Sequence, residues 1–388
     1  MDLLESVLVG VFRVVEACDG RRTDLAALDP ARVERILTIS STGIGDTLFS
    51  TPAIRALREA YPRAHIAAMF RARYMDLFRN NPHVDAVIPY YGKYRRLIST
   101  LRALRAGRFD VAAVLHGNDP DIIPLAYLSG ARFVVRIPND STRFRFLLSN
   151  AALTPENNVI PGQHGLKMRL RIAGLLGAQS DDRRMVLVVD PAAARAVGDY
   201  LEGRGVGPGE ALVGFQVGAS NVSRMWFGEQ FAELGRRLLL AEPSLRIAIT
   251  GSPGERAYCH MVADTIGAGD RVVVTAGDLT LPQVAALVNR LSVLVAADTG
   301  TLHMALALGR PAVALYAMAD SRVTGPDPAD PCYRIIQKWR TCDPCLGKAC
   351  PFPLCMQNVM VDEVEAAVRD LLRSRRAAAG VQPAVAVA

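Results

Sequence analysis

Long apolar runs are missing from this 388-residue chain. Half of its residues are hydrophobic, yet no stretch reaches the ~20 uncharged residues that a membrane-crossing helix needs. A soluble, globular protein is expected. Zinc-finger spacing, an RNP aromatic pattern and a long basic helix are also missing, and aromatics make up only 6% of the chain. Nucleic acid is therefore not the expected partner. The first residues, MDLLESVLVGVFRVVEACDG, lack the basic start of a signal peptide and are interrupted by Glu5, Arg13 and Glu16. Without an export signal, a cytoplasmic, reducing compartment is expected. No 20–50-residue repeat is visible.

What is there begins with charge and length. A formal net charge of +7 favours anionic partners, and 388 residues suffice for two domains with separate cores. Apolar runs at 36–40, 66–69, 86–88, 111–115 and 133–136 read as strands, with helical patterns at 97–105 and 121–128 between them. A second series follows, with strands at 211–216, 246–250, 271–274, 292–296 and 312–316 and helices at 227–240, 255–266, 281–291 and 301–308. Such alternation builds parallel sheets covered by helices, an α/β class. Residues 177–209, rich in charge, Gly and Ala, mark the boundary. The expected domains are an N-terminal helical extension (1–30), a first Rossmann-like domain (31–185), a second (186–360), and a C-terminal helix (361–373) with a disordered tail from 375 to 388. In the extension Leu3, Leu4, Val7, Leu8, Val11, Val14 and Val15 fit one helical face. That face either docks on the first domain or lies on a membrane surface.

The segment ILTISSTGIGDTLFSTPAI (36–54) runs from a strand through a glycine turn into a helix. It is not a nucleotide-triphosphate loop, because Asp46 stands where a phosphate-binding Lys is needed. Nor is it a dinucleotide fingerprint, since Leu48 occupies the third small-residue place and the next strand ends in Arg71 rather than an acid. Asp46 at the carboxyl edge of a sheet is either a general base or a helix cap. Three second-half turns complement it. GASNVSRMW (218–226) carries small polar residues and one cation. TGSPGE (250–255) ends in an acid at a helix start. AADTGTLH (296–303) places Asp298 as an N-cap, with Thr299, Gly300 and Thr301 offering backbone N–H groups to phosphate.

Together these segments resemble glycosyltransferase family 9, the ADP-heptose–lipopolysaccharide heptosyltransferases. IGDTLFSTPAIRALREAYP is similar to the family's N-terminal signature, RMWFGEQFAEL to its Lys-x-Trp segment, and DTGTLHMALALGRPAVALY to its Asp-Thr-Gly-x-x-His segment. The resemblance spans about residues 32–372 and implies a GT-B fold, two Rossmann-like domains facing across a cleft. It implies an inverting, metal-independent transfer with no required cofactor, from ADP-L-glycero-D-manno-heptose to an anionic glycolipid core at the inner face of the inner membrane. Asp46 would be the base, beside Gly45. Ser220, Arg224, Asp298, Thr299, Gly300 and His303 would hold the diphosphate and sugar, Glu255 the ribose, and Leu279, Thr280 and Leu281 the adenine. Arg224 stands where the family has Lys, a planar fork in place of a point charge. Lys93, Arg95 and Arg96 match an acceptor-side basic segment loosely. His116 and Asn118 are acceptor-side residues or, for His116, a structural histidine. Rival functions are transfer to protein or to another acceptor, a sugar-nucleotide epimerase, and a silent sugar-nucleotide binding module.

Of seven cysteines, four follow C-x2-C-x4-C-x4-C: Cys342, Cys345, Cys350 and Cys355. Such spacing can close a structural Zn or Fe site, although a zinc ribbon has two pairs and a longer spacer. Reduced or partly bridged thiols are the other expectation, and Cys18, Cys259 and Cys332 read as ordinary small apolar residues.

Overall fold

The fold is given by a computed structural model, which describes residues 3–20, 23–138, 142–152 and 159–380. The chain divides into two compact units, Met1–Val188 and Val189–Ala388. The strands are β1 (Arg35–Ser40), β2 (His65–Arg71), β3 (Ala86–Tyr90), β4 (Val111–His116) and β5 (Phe133–Val135) in the first unit. The second holds β6 (Leu212–Gln216), β7 (Arg246–Thr250), β8 (Val272–Val274), β9 (Val293–Ala297), β10 (Ala312–Tyr316) and β11 (Tyr333–Gln337). Helices α1 (Leu3–Asp19), α2 (Ile44–Ala60), α3 (Leu97–Ala106), α4 (Ile122–Leu128) and α5 (Gly165–Leu175) belong to the first unit. The second has α6 (Pro191–Glu202), α7 (Gly228–Ala241), α8 (Arg256–Ile266), α9 (Leu281–Arg290), α10 (Gly300–Ala307), α11 (Ser321–Thr324), α12 (Leu354–Gln357) and α13 (Val361–Gly380).

Each unit is one parallel sheet, ordered β3-β2-β1-β4-β5 in the first and β11-β10-β9-β6-β7-β8 in the second. In register, Ile36 faces Ile66 on β2 and Val111 on β4, and Val213 faces Ile247 on β7 and Val293 on β9. Helices cover both faces, so the central strands are mostly apolar; β6, β9 and β10 are buried along their whole length. The chain enters each sheet in the middle, builds outward, then returns to the other side. The order in which strands are added therefore reverses between β1 and β4 in the first sheet and between β6 and β9 in the second. Such switch points open a crevice at the carboxyl ends of the strands, where ligands bind.

Four features depart from the sequence expectations. Half-buried β11 extends the second sheet, its charged Arg334 tied to Asp370. Helix α6 occupies the expected boundary, started by Pro191 and capped by the Asp190 carboxylate on the Ala193 amide. Helix α13 continues to Gly380, through the first part of the expected tail; residues 381–388 lie outside the described residues. The apolar residues of α1 also do not share one face. Phe12, Leu8, Val9 and Val15 pack on the first core, Phe12 edge-on to Phe144 at 5.7 Å, while Val7, Val11 and Val14 point outward. The side chains of Leu3 and Leu4 lie outside the described residues.

Candidate active site

In the first unit β1 delivers Asp46 to the switch point. The turn after Ser40 enters α2, whose N-cap is Gly43. Asp46 therefore stands in the first helical turn, after buried Gly45, and is not the cap residue. Pro52 within α2 cannot donate to the Leu48 carbonyl; the Thr51 hydroxyl does so instead, at 2.7 Å, and the helix runs on. Across the switch point, β4 ends at His116, whose carbonyl accepts from Ser41 N at 3.0 Å. Gly117 permits this approach, because a Cβ there would stand 2.9 Å from both Ser41 Oγ and Ile122 Cγ2. Arg71 braces the turn by donating to the Ser41 carbonyl at 3.2 Å and pairing with Asp119 at 3.0 Å.

Four side chains converge here. Arg169 Nη2 donates to Asp46 Oδ1 at 2.9 Å, and Thr42 Oγ1 donates to Oδ2 at 3.0 Å. His116 Nδ1 lies 2.8 Å from Thr42 Oγ1, and its Nε2 lies 3.6 Å from Asp46 Oδ1. Burial, reinforced by the Arg169 charge and opposed by Asp46, pushes the His116 imidazole down to about 4. The ring is thus neutral near pH 7, and carrying its proton on Nδ1 satisfies both short contacts of Thr42. The Arg169 side chain is only 4% exposed, whereas that of Asp46 is 38% exposed. The acid faces solvent on a buried cationic support. Burial, then the charge of Arg169, pulls Arg136 down to about 10. No acidic partner of Arg136 is present among the described residues.

Sequence reasoning missed Arg169, Thr42 and Arg136. For Arg169 a signal existed: in GLKMRLRIAGL it falls with Leu166, Ile172 and Ala173 on the buried face of α5, where a charge needs a partner. His116 lies beside Asp46. Exposed Asn118 follows β4. Lys93, Arg95 and Arg96 follow the edge strand β3, two strands from β1, and Lys93 pairs with Glu5 at 3.3 Å.

The second unit repeats the plan. In sheet order β9-β6-β7-β8, the loops at the carboxyl ends carry Asp298 to Gly300, Gly218 to Arg224, Gly251 to Glu255, and Leu279 to Leu281. The N-cap of α10 is Thr299, whose side chain accepts from Leu302 N, rather than the expected Asp298. Buried Asp298 instead receives Arg224 Nη1 on Oδ2 at 3.1 Å and faces His303 Nε2 from Oδ1 at 3.2 Å. Burial alone would raise its carboxyl. The hydrogen bond and charge of His303, the charge of Arg224 and a Thr324 hydrogen bond together carry it below the usual range. Arg224 is thereby locked at the switch point. The first amides of α10, Gly300 and Thr301, precede the helical hydrogen-bond ladder and point out of its positive end. Thr301 Oγ1 donates to Gln216 Oε1 at 2.8 Å.

Glu255 Oε2 accepts from Ser252 N at 2.6 Å. Its other oxygen lies against Gly218, where a Cβ would stand 1.9 Å away, so only glycine leaves Glu255 in the crevice. Thr280 caps α9 through a capping box with Gln283, with half-buried Leu279 and Leu281 on either side. Ser220 is exposed and accepts from Asn221 Nδ2 at 3.3 Å.

The cysteines differ from the metal expectation. Among the described residues no three His, Cys, Asp or Glu side chains converge as a metal site. Cys345 Sγ accepts from Gly347 N, Cys350 Sγ lies on the Phe352 carbonyl, and Cys342 is exposed. Burial raises the Cys355 thiol, with Cys345 and Cys350 nearby adding to the shift.

Two parallel-sheet units, each with a polar constellation at its switch point, are a frame that many functions share. The family model "Glycosyltransferase family 9 (heptosyltransferase)" matches residues 168–356. Over that segment the chain is similar to glycosyltransferase family 9. It is similar to lipopolysaccharide heptosyltransferase 3 of Escherichia coli, with 23% identity over 71% of this chain and 81% of the relative. With lipopolysaccharide heptosyltransferase 2 of Salmonella typhimurium it shares 25% identity over 75% and 85%. In structure it is similar to the E. coli ADP-heptose lps heptosyltransferase II, at 20% identity and a TM-score of 0.71, over 88% of this chain and 99% of that one. The fold is GT-B, and this protein is a glycosyltransferase with similarity to the lipopolysaccharide heptosyltransferases.

Proposed function

We propose that this enzyme transfers heptose from ADP-L-glycero-D-manno-heptose to a lipopolysaccharide core acceptor of the Kdo/heptose–lipid A kind. Transfer inverts the anomeric carbon, uses no metal ion, and takes Asp46 as general base. One observation carries this: a solvent-facing carboxylate at the first switch point, oriented by Arg169 on one oxygen and Thr42 on the other. The names of the related heptosyltransferases support the donor and acceptor classes.

A sugar hydroxyl is far less acidic than a carboxylic acid of pKa about 4, so Asp46 does not remove its proton in the ground state. The proton moves as the new C–O bond forms on an oxocarbenium-like carbon, a role contributing ~10²–10⁴-fold. Arg169 and Thr42 fix the carboxylate, which receives the proton. ADP leaves from the opposite face of the sugar, and its developing charge meets Arg224 and the amides of Gly300 and Thr301. His303 and Asp298 orient Arg224. Thr299 and Ser220 reach the phosphate oxygens, Glu255 takes the ribose, and Leu279, Thr280 and Leu281 line the adenine. On the acceptor side Arg136 offers its charge to an acid group next to the reacting hydroxyl. Incubation with ADP-heptose and a Kdo-bearing lipid A fragment, with EDTA present, is expected to add one heptose by mass, with inverted anomeric configuration by NMR. A strict Mg²⁺ requirement or a retained configuration contradicts the proposal.

A further inference from the structure

Helix α1 is apolar on two sides. Its inner side, with Leu8, Phe12 and Val15, is spent on the first core. Its outer side carries Val7, Val11 and Val14, which are 55%, 51% and 64% exposed. At helical spacing Gly10, Ala17 and Cys18 complete that stripe, all three exposed. Among the described residues no acidic residue interrupts it. Glu5 turns aside to Lys93 and Arg143, and Asp19 accepts from the Tyr127 hydroxyl. A helix that has already paired one apolar side with a core gains nothing for the fold from a second.

The surroundings are cationic. On one flank Arg13 stacks over the Phe146 ring at 4.7 Å. Arg13, Arg143 and Arg145 line a cavity of about 470 Å³ together with Thr142 and Phe146, and among the described residues no acidic side chain lines it. At the helix start the Lys93–Glu5 pair brings in the 93–98 segment, with exposed Arg95 and Arg96 and with Ile98 at 71% exposure. An apolar stripe edged by arginines complements a surface that is oily inside and anionic outside. A second copy of this chain would bring the same cations against these.

We propose that the outer face of α1 docks the first unit on an anionic lipid bilayer. Val7, Val11 and Val14 enter the headgroup–acyl boundary, and the cavity beside Arg13 takes a lipid phosphate. This rests on the proposed glycolipid acceptor, which resides in such a surface. No helix of the described residues is long and apolar enough to cross a membrane; docking is on one leaflet.

The test is flotation of the full chain with vesicles of phosphatidylcholine alone, or of phosphatidylcholine containing phosphatidylglycerol, at low and high salt. Binding is expected only with the anionic vesicles and is weakened by salt. Val7, Val11 and Val14 all changed to Ser should lower it about tenfold or more. The sites are exposed, and Ser and Val have similar helix propensity, so circular dichroism should be unchanged. Arg13→Gln and Arg145→Gln should each lower binding about fivefold. Equal binding to both vesicle types, or wild-type binding by the triple variant, overturns the proposal. So does a dimer in sedimentation velocity that the triple variant converts to monomer while vesicle binding persists. Flotation needs no turnover, so failure there leaves the transfer chemistry intact. Loss of transfer to a soluble acceptor by wild-type protein would instead strike at the proposed reaction.

Discussion

Replacing Arg169 by Met separates the orientation of Asp46 from the stability of the fold. The Arg169 guanidinium is buried, with one nitrogen on Asp46 Oδ1 at 2.9 Å and another on the Gly165 carbonyl at 2.6 Å. Met is apolar and nearly as long, and it relieves the desolvation of a buried cation. Removing one partner of a buried pair destabilises when it strands the other charge, but Asp46, being 38% exposed, keeps water as a partner. The melting temperature should therefore change little. Turnover should not escape, because Asp46 loses the bond by which Arg169 orients it. A hydrogen bond to a charged group contributes about 1.5–3 kcal/mol, which corresponds to about 10- to 150-fold in kcat, with little change in donor KM. Arg169→Lys keeps the charge but reaches only one of the two acceptors, and should fall between. Because Arg169 acts through Asp46, its loss in an Asp46→Asn background should cost almost nothing further. Steady-state release of ADP, with thermal melts of the wild type and the four variants, measures this. Wild-type kcat in Arg169→Met, or fully additive losses in the double variant, would refute the role.

Arg224 gives a second prediction. Arg224→Met should lose about 10²–10³-fold in kcat by removing a charge from the leaving diphosphate, while Arg224→Lys stays within about tenfold; equal rates in both variants would contradict the assignment. His116 makes stability depend on pH. Its folded pKa near 4 lies below the unfolded value of 6.5, so between them the unfolded chain holds the additional proton and acid favours unfolding. Urea unfolding should lose up to about 3 kcal/mol as pH falls from about 6.5 to about 4. His116→Gln should remove that part of the slope, and an unchanged slope counts against a buried neutral imidazole.

The strands were legible because parallel sheets covered on both faces require unbroken apolar runs, as in LVGFQ and AVALY. The sheet-edge loops were legible because tight turns need the small residues at Gly43, Gly218 and Gly251. Half-buried β11 escaped, since YRIIQ carries its arginine at an edge and shows no full apolar run. Helix α5 escaped because three basic residues interrupt it, one of them the buried Arg169. Asp298 was misread as a cap because a lone Asp before a helix looks the same locally whether it bonds its own amides or a distant arginine. Residues 74 positions apart, such as Thr42 and His116, meet only through the reversal of strand order, which local sequence does not encode.

Asp46→Asn tests the central claim most directly. The substitution keeps an acceptor for Arg169 and removes the proton-accepting charge. Single-turnover transfer, measured beside calorimetric titration with ADP-heptose, should fall by ~10²–10⁴-fold with donor affinity unchanged. A variant that transfers heptose at near the wild-type rate would mean that the proton goes elsewhere, and that the carboxylate at the first switch point is only a structural partner of Arg169.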